Sequence, residues 1–470
     1  MNPRHDQPIA RTVIVPVAAA PSTEAVAVIF SQARQPSLLE SPLQKGRYSR
    51  FSIYAAEPVD VFEAAWDQAG SLLRRWGERF GSYPAVIDTE DLLPFAGGWI
   101  GFLSYEAGLE TEGLLTAADP RPSWPPIRFA LYDAAAVFDH HRGQWYAVAV
   151  DWPEPWASRT SPVDERLAAI RSRLEAAETG PPAEACEAGA FLGPEPNMTR
   201  EQYLAGVQQA KSHIEAGDIY QVNLTQRFDF RVTAGPMDIY RRLRRACPST
   251  HAAFLMWDDR AIISASPELF LDVRGRRVVT RPIKGTCPRG DDPACDAANR
   301  IALLNSEKDT AELVMIVDLL RNDLGRVCAY GSVRVTDPVT IEDHPNVFHR
   351  VATIEGRLGD DVDVADLLRA AFPGGSITGA PKIRAMQIIK ELEPTPRGVY
   401  CGAIGYVGLD GSLSLNVAIR TIVQEGATVC AHAGGAIVAD SEPEAEYEEV
   451  LVKCRGMFAA LGCGGSAGSY

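Results

Sequence analysis

The chain has 470 residues, 46% of them hydrophobic and 23% charged, with a net charge of -15. These values describe an ordinary globular protein of two or three domains, or one large composite core. They exclude a general nucleic-acid binder, which needs a basic face, and no apolar run reaches membrane-spanning length, because Pro16, Pro21 and Glu24 interrupt the apolar N-terminus. Nine cysteines scattered from Cys186 to Cys463 without a CxxC pair suit neither zinc nor a disulfide framework, so a reducing cytoplasm is the expected compartment.

In chain order, residues 12–17 read as a short apolar strand and 22–31 as a helix capped by Ser22. Residues 38–41 and 48–54 are strand-like, and 94–106 are rich in glycine and aromatics, as suits closely packed sheets. The stretch between about 175 and 196 has linker composition, with Pro181-Pro182 in its middle. The expected division is therefore an N-terminal domain over 1–175, a linker over 176–197 and a second domain over 198–470. A helix over 200–216 follows, with Thr199 as its cap.

The second part holds the chemistry. Residues 217–225 form a turn leading into a strand that carries Gln221, an amide that cannot act as a general base. In Ser266-Pro267-Glu268-Leu269-Phe270 a carboxylate sits among apolar neighbours, where burial would let it hold a proton near neutrality. In Arg281-Pro282-Ile283-Lys284-Gly285-Thr286, Pro282 and Gly285 break the strand on either side of Lys284. Such a lysine is either an ordinary solvated strand-end residue or a desolvated, nucleophilic amine.

Glu312 flanks the apolar face formed by Leu313, Ile316, Val317 and Leu320. A second acidic helix is expected from Ser441, with a Ser441–Glu444 capping box and Pro443 in its first turn. Its apolar stripe is Tyr447, Val450, Leu451, Cys454 and Phe458, and Glu446, Glu449 and Lys453 line an adjoining stripe. The plainest reading of that stripe is a Glu449–Lys453 ion pair worth about 0.3 kcal/mol.

The glycine-rich turn over 373–382 opens a helix over 381–392, but Ala380 stands where a P-loop requires lysine. That argues against ATP and leaves an anion site, including Thr378 and Gly379, suited to a carboxylate. Arg420, at the end of an alternating strand, is suited to a bidentate carboxylate contact. A second glycine turn at Gly434-Gly435 precedes the acidic helix, and Tyr406 and Lys453 could complete the pocket. His349 lies in an apolar context, where a satisfied core histidine is the usual outcome.

Together these motifs resemble the chorismate-utilising enzyme family along the whole chain, most densely from about Thr199 onward. Within it they resemble the branch that forms aminodeoxychorismate, which commonly carries a lysine at the position of Lys284, where anthranilate-forming members carry alanine. The resemblance implies an α+β fold of two interleaved halves, with large, mainly antiparallel sheets packed on each other and helices outside. It implies that Lys284 is the nucleophile, Glu268 the general acid, and that His349 lies near the reacting ring carbons. Gln221 stands where hydrating relatives carry a lysine, so it speaks against hydration. Chorismate would contact Gln221, Thr378, Gly379, Tyr406, Arg420, Gly434, Gly435 and Lys453, and Glu312 and Glu449, with Glu446, would hold Mg²⁺. Ser41, in Leu38-Leu39-Glu40-Ser41, is a candidate contact in a tryptophan pocket. Ammonia would come from a separate glutaminase subunit of the class-I amidotransferase type in a heterodimer, since no amidotransferase nucleophile motif is present. The expected activity is Mg²⁺-dependent formation of 4-amino-4-deoxychorismate, the precursor of 4-aminobenzoate and folate. The alternatives are the anthranilate synthase component of tryptophan biosynthesis and a silent tryptophan-binding regulatory subunit.

Overall fold

The structure is a computed structural model that describes residues 9–43, 47–66, 71–87, 93–180 and 189–463. Pro181-Pro182 and Cys186 lie outside the described residues. The described residues form two large sheets, one of 13 strands and one of 10, with helices packed around them. No helix among them is long and apolar enough to cross a membrane.

Both sheets draw strands from either side of residues 176–197, which is the interleaving expected of the fold. In the larger sheet the strand Ser37–Glu40 pairs with His251–Trp257, setting Leu38 opposite Phe254. In the smaller sheet Gly98–Leu103 pairs with Ala403–Gly408. Almost every pairing is antiparallel; Ala10–Val17 with Val86–Ile87 is parallel. Buried apolar side chains fill the space between the layers, Trp76, Trp99 and Trp145 among the largest. Each fully buried Leu, Ile or Phe contributes about 1.5–3 kcal/mol relative to exposure.

Local signals place most elements where the sequence predicts them. Ser22 caps the helix Thr23–Ser31 by accepting from the Ala25 amide, and Thr199 forms a full capping box with Gln202 on the helix Arg200–Glu215. The helix Val163–Thr179 runs into the 176–197 stretch, and within that stretch Phe191–Pro196 is a strand paired with Gln221–Val232. Two expectations need correction. Gly434-Gly435 is not a turn but lies inside the strand Thr428–Ile437, opposite Thr225 and Leu224. A Cβ at Gly434 would come within 2.4 Å of the Leu224 carbonyl oxygen, and one at Gly435 within 3.0 Å of Glu446 Oε2. Glycine there permits the close approach of a strand and a helix rather than a reversal. Ser441 does not cap its helix, which runs Pro443–Leu461 with Glu442 at the cap position; its hydroxyl instead donates to Glu446 Oε1 at 2.6 Å.

Candidate active site

The strand Ile283–Pro288 is an edge strand of the smaller sheet, separated from Arg277–Arg281 by Pro282. It pairs with Val347–Arg357 through Ile283↔Val351 and Thr286↔His349, so three steps on one strand match two on the other. Lys284 and Gly285 occupy that bulge, and Gly285 has a φ of 93°, the left-handed region that glycine tolerates. A bulge re-aims a side chain out of the sheet's alternation, and here it sends Lys284 toward the loop 374–379. Lys284 Nζ donates to the Ser376 carbonyl oxygen at 3.4 Å, a long contact that leaves the amine available. Burial pushes the Lys284 amine below its ordinary pKa, and Glu312 and Glu268 nearby pull the other way.

Glu268 lies between the strands Arg260–Ser266 and Leu269–Arg274 and is 5% exposed. Burial pushes its carboxyl up to about 7, opposed by a hydrogen bond from the Ser376 side chain and by the charge of Lys284. It can therefore hold a proton near neutrality, as a general acid requires, close to an amine whose pKa burial lowers, as a nucleophile requires.

The two acidic helices bring their carboxylates to the same place. Glu307–Gly325 packs against the Lys284 strand and carries Glu312, with Leu313, Ile316 and Leu320 buried beneath it. Pro443–Leu461 buries Tyr447, Val450, Cys454 and Phe458 and carries Glu446 and Glu449. Burial raises Glu312 and Glu446, and the charge of Glu449 raises both further. Burial alone would raise Glu449 too, but the ion pair with Lys453 at 2.7 Å, with Lys308 and Lys284 beyond, brings it below the ordinary value. The plain Glu449–Lys453 pair thus exists, and Lys453 also donates to the Gly434 carbonyl at 2.8 Å. Among the described residues no three His, Cys, Asp or Glu side chains converge closely enough to make a ligand set by themselves. An all-oxygen set of few carboxylates, completed by other oxygens, fits a hard cation such as Mg²⁺.

His349 and Gln221 are buried and Arg420 is half-buried, and all three carry polar groups that the described residues leave open. Arg420 follows the strand Leu413–Val417 by three residues rather than ending it, and has a φ of 49°. No ion pair or side-chain hydrogen bond joins its guanidinium to a described residue, so it is free to receive a carboxylate. His349 is 2% exposed; Thr286 Oγ1 bonds its Nδ1 at 2.8 Å, while its buried Nε2 has no partner among the described residues. Burial, then the charges of Arg420 and His344, hold its pKa well below the usual histidine value, so it is neutral. Gln221 is fully buried, and neither of its amide atoms has a partner among the described residues. It pairs in register with Ala380, next to Gly379, and the Thr378 carbonyl accepts from the Asn223 amide at 2.8 Å. Buried polar atoms left open in this way mark a place for a polar ligand.

Tyr406 is not part of this group. Its hydroxyl accepts from Arg274 Nη2 at 2.5 Å, and it lines a separate cavity of about 280 Å³ together with Ser41, Tyr48, Arg50, His251 and Arg277. On the strand Ala403–Gly408 side chains alternate, and its face points to the N-terminal half. Ser41 Oγ donates to the Thr250 carbonyl at 2.9 Å at the edge of that cavity. Another cavity, of about 310 Å³, is lined by Tyr105, Glu106, Lys390, Glu393 and Arg397. Neither cavity is lined by Lys284 or Glu268. Sequence reasoning missed Ser376 as the residue shared by Lys284 and Glu268; its place in a glycine-rich turn flanked by prolines was the available signal.

The family described as chorismate binding enzyme matches residues 35–459. Anthranilate synthase component 1 of Streptomyces coelicolor is 40% identical over 436 residues, spanning 90% of this chain and 83% of that protein. Aminodeoxychorismate synthase component 1 of Escherichia coli is 38% identical over 428 residues, spanning 88% and 91%. The crystal structure of anthranilate synthase component I from Streptococcus pneumoniae has a TM-score of 0.75 and 32% identity, covering 88% of this chain and 93% of that one. Relatives of both kinds are about equally similar, so overall likeness does not choose between the two reactions. With this coverage and with Lys284, Glu268 and the acidic helices gathered in one place, the chain belongs to the chorismate-binding enzyme family.

Proposed function

We propose that this chain is the synthase component of an aminodeoxychorismate synthase, converting chorismate and ammonia to 4-amino-4-deoxychorismate. The observation that supports this reading over anthranilate formation is Lys284: a bulged, desolvated lysine stands beside Glu268 where anthranilate-forming relatives are expected to carry alanine. Its neutral amine attacks C2 of the ring, the double bonds shift, and the C4–O bond breaks as Glu268 delivers its proton, releasing water. Ammonia then adds at C4, the double bonds shift back, and the C2–N bond breaks to return a neutral lysine. The proton gained by the new amine restores Glu268. Two allylic displacements of lower barrier replace one. Lys284 also occupies the approach to C2, which disfavours the amine placement that leads to anthranilate and loss of pyruvate.

Arg420 and the amides of the 374–379 loop would hold the substrate carboxylates, with neutral His349 and Gln221 offering their open polar atoms to the ring substituents. Glu312, Glu446 and Glu449 would hold Mg²⁺, which when bound offsets the ring carboxylate's charge and withdraws electron density from the diene. The ammonia source is a separate glutaminase subunit, and the cavity around Ser41 would take tryptophan.

The deciding experiment incubates the purified protein with chorismate, Mg²⁺ and an ammonium salt at mildly alkaline pH and identifies products by liquid chromatography and mass spectrometry. A species of the aminodeoxychorismate mass, converted to 4-aminobenzoate by an added lyase, supports the reading. Anthranilate with pyruvate overturns it in favour of the anthranilate synthase reaction.

A further inference from the structure

The loop 374–379 must be held firmly, because Ser376 touches both Lys284 and Glu268, yet it begins with two glycines and makes only one short turn, Gly375–Ile377. Thr378 Oγ1 steadies the start of the loop through the Gly374 carbonyl at 3.0 Å, and strand pairing steadies its end at Gly379. The carbonyl between them, on Ile377, is held from behind by Arg397 Nη1 at 2.8 Å.

Arg397 is far from an ordinary surface arginine. Its side chain is 1% exposed and forms a two-pronged pair with Glu393, Nε to Oε2 at 2.8 Å and Nη2 to Oε1 at 2.7 Å. Nη2 also donates to the Asn223 carbonyl at 2.7 Å, on the strand that carries Gln221. Glu393 Oε1 in turn accepts from the Thr225 amide at 2.8 Å and hydroxyl at 2.9 Å. The guanidinium stacks 4.6 Å over the Tyr105 ring, and its own backbone amide donates to Glu106 at 2.7 Å. A buried ion pair kept only for stability is often replaceable by apolar packing. This one spends its donors on carbonyls of two different segments, one carrying Ser376 and the other Gln221, which is the work of a planar fork rather than of a charge.

We infer that Arg397, oriented by Glu393, is a positioning residue for the reaction: its guanidinium fixes the Ile377 carbonyl, and with it Ser376, against the Gln221 strand. This rests on the reading of Lys284 and Glu268 as the reacting pair. The cavity of about 310 Å³ that Arg397 and Glu393 line, and that Lys284 does not, makes the inference testable by chemical rescue, since a free guanidinium ion is small enough to enter it.

The experiment compares wild type, Arg397→Lys and Arg397→Ala by thermal unfolding, by kcat and KM for chorismate across pH, and with and without a low, non-denaturing concentration of guanidinium chloride. In Arg397→Ala the expected result is a fall in kcat of about 100-fold with a smaller change in KM, since small misplacements of reacting groups cost rate before binding. Guanidinium should restore at least about tenfold of that loss while leaving wild type and Lys284→Ala unaffected. The alkaline limb of the pH profile should move upward, because a displaced Ser376 no longer stabilises the Glu268 carboxylate. Arg397→Lys keeps the charge without the fork and should show the same pattern in weaker form. Should Arg397→Ala not fold, the folded Arg397→Lys decides alone. A folded variant with kcat within about twofold of wild type and an unmoved limb overturns the inference. If instead the wild type itself yields no amine product from chorismate, the assigned reaction fails, a result distinct from unchanged variants of an active enzyme.

Discussion

Lys284 and Glu268 meet on a single residue: the lysine amine donates to the main-chain carbonyl of Ser376, and the Ser376 side chain hydrogen-bonds the Glu268 carboxylate. The two side chains are thereby held to one residue of the loop, and each feels the other's charge. Moving protons at one of them changes the readiness of the other.

Replacing Lys284 with alanine should lower aminodeoxychorismate formation by about 1000-fold or more, the scale on which loss of a covalent nucleophile is felt. Some anthranilate should appear, because the approach to C2 is opened. Product analysis of the variant checks both parts; unchanged rate and product would remove Lys284 from its role.

Glu268→Gln should reduce kcat by about 100- to 10000-fold, the usual contribution of a general acid. The wild-type rate should fall on the alkaline side as Glu268, which burial holds at about 7, loses its proton. The glutamine variant should lack that limb.

The carboxylates of the two acidic helices repel one another when no cation lies between them. Glu449→Gln should therefore weaken Mn²⁺ binding, followed by electron paramagnetic resonance as a stand-in for Mg²⁺, by about tenfold or more, the usual scale for removing an anionic partner of about 1.4 kcal/mol. Glu312→Gln should act in the same direction. Equal Mn²⁺ binding by wild type and both variants would place the metal elsewhere.

Glu342 supplies a prediction about stability. Burial alone would raise its pKa, but His344 and Arg281, the latter at 2.6 Å, pull it down to about 2. A folded-state pKa below the unfolded value gives stability that is present above about pH 4.5 and is lost as pH falls through 2, on the order of 3 kcal/mol for such a shift. Wild type should exceed Glu342→Gln in Tm at neutral pH, and the gap should close on acidification.

The cavity beside Ser41 should bind L-tryptophan, read by isothermal calorimetry and by a rise in Tm. Ser41→Ala removes the hydroxyl bonded to Thr250 and should weaken that binding; an unaltered affinity would show that Ser41 is not a contact.

Much of this site was legible in the sequence because its special residues are local in their effects. Pro282 and Gly285 announce an interrupted strand, and the interruption turns out to be the bulge that aims Lys284. Glu268 among apolar neighbours becomes a buried acid for the reason its context gives. What was misread depends on contacts made across the chain. Gly434-Gly435 reads as a turn until the helix carrying Glu446 is seen lying against it. Ser441 reads as a cap until Glu446, five residues on, takes its hydroxyl. Tyr406 reads as a residue completing the pocket, but the face it occupies is decided by sheet register, which periodicity alone does not fix. Arg397, four residues after Glu393 and among prolines, gives no hint that three distant segments converge on it.

The pairing of Ser37–Glu40 with His251–Trp257, and of Gly98–Leu103 with Ala403–Gly408, has a consequence for how the molecule comes into being. Contacts so remote along the chain cannot form while the ribosome is still making the second half, and their closure costs entropy before any packing returns it. The early strands must wait with open edges for partners hundreds of residues away. Folding should therefore be slow and late, dependent on the whole polypeptide, and most exposed to aggregation during synthesis rather than afterwards. A truncation before residue 176 that spares Lys284, Glu268 and both acidic helices would still remove six strands of the larger sheet and three of the smaller.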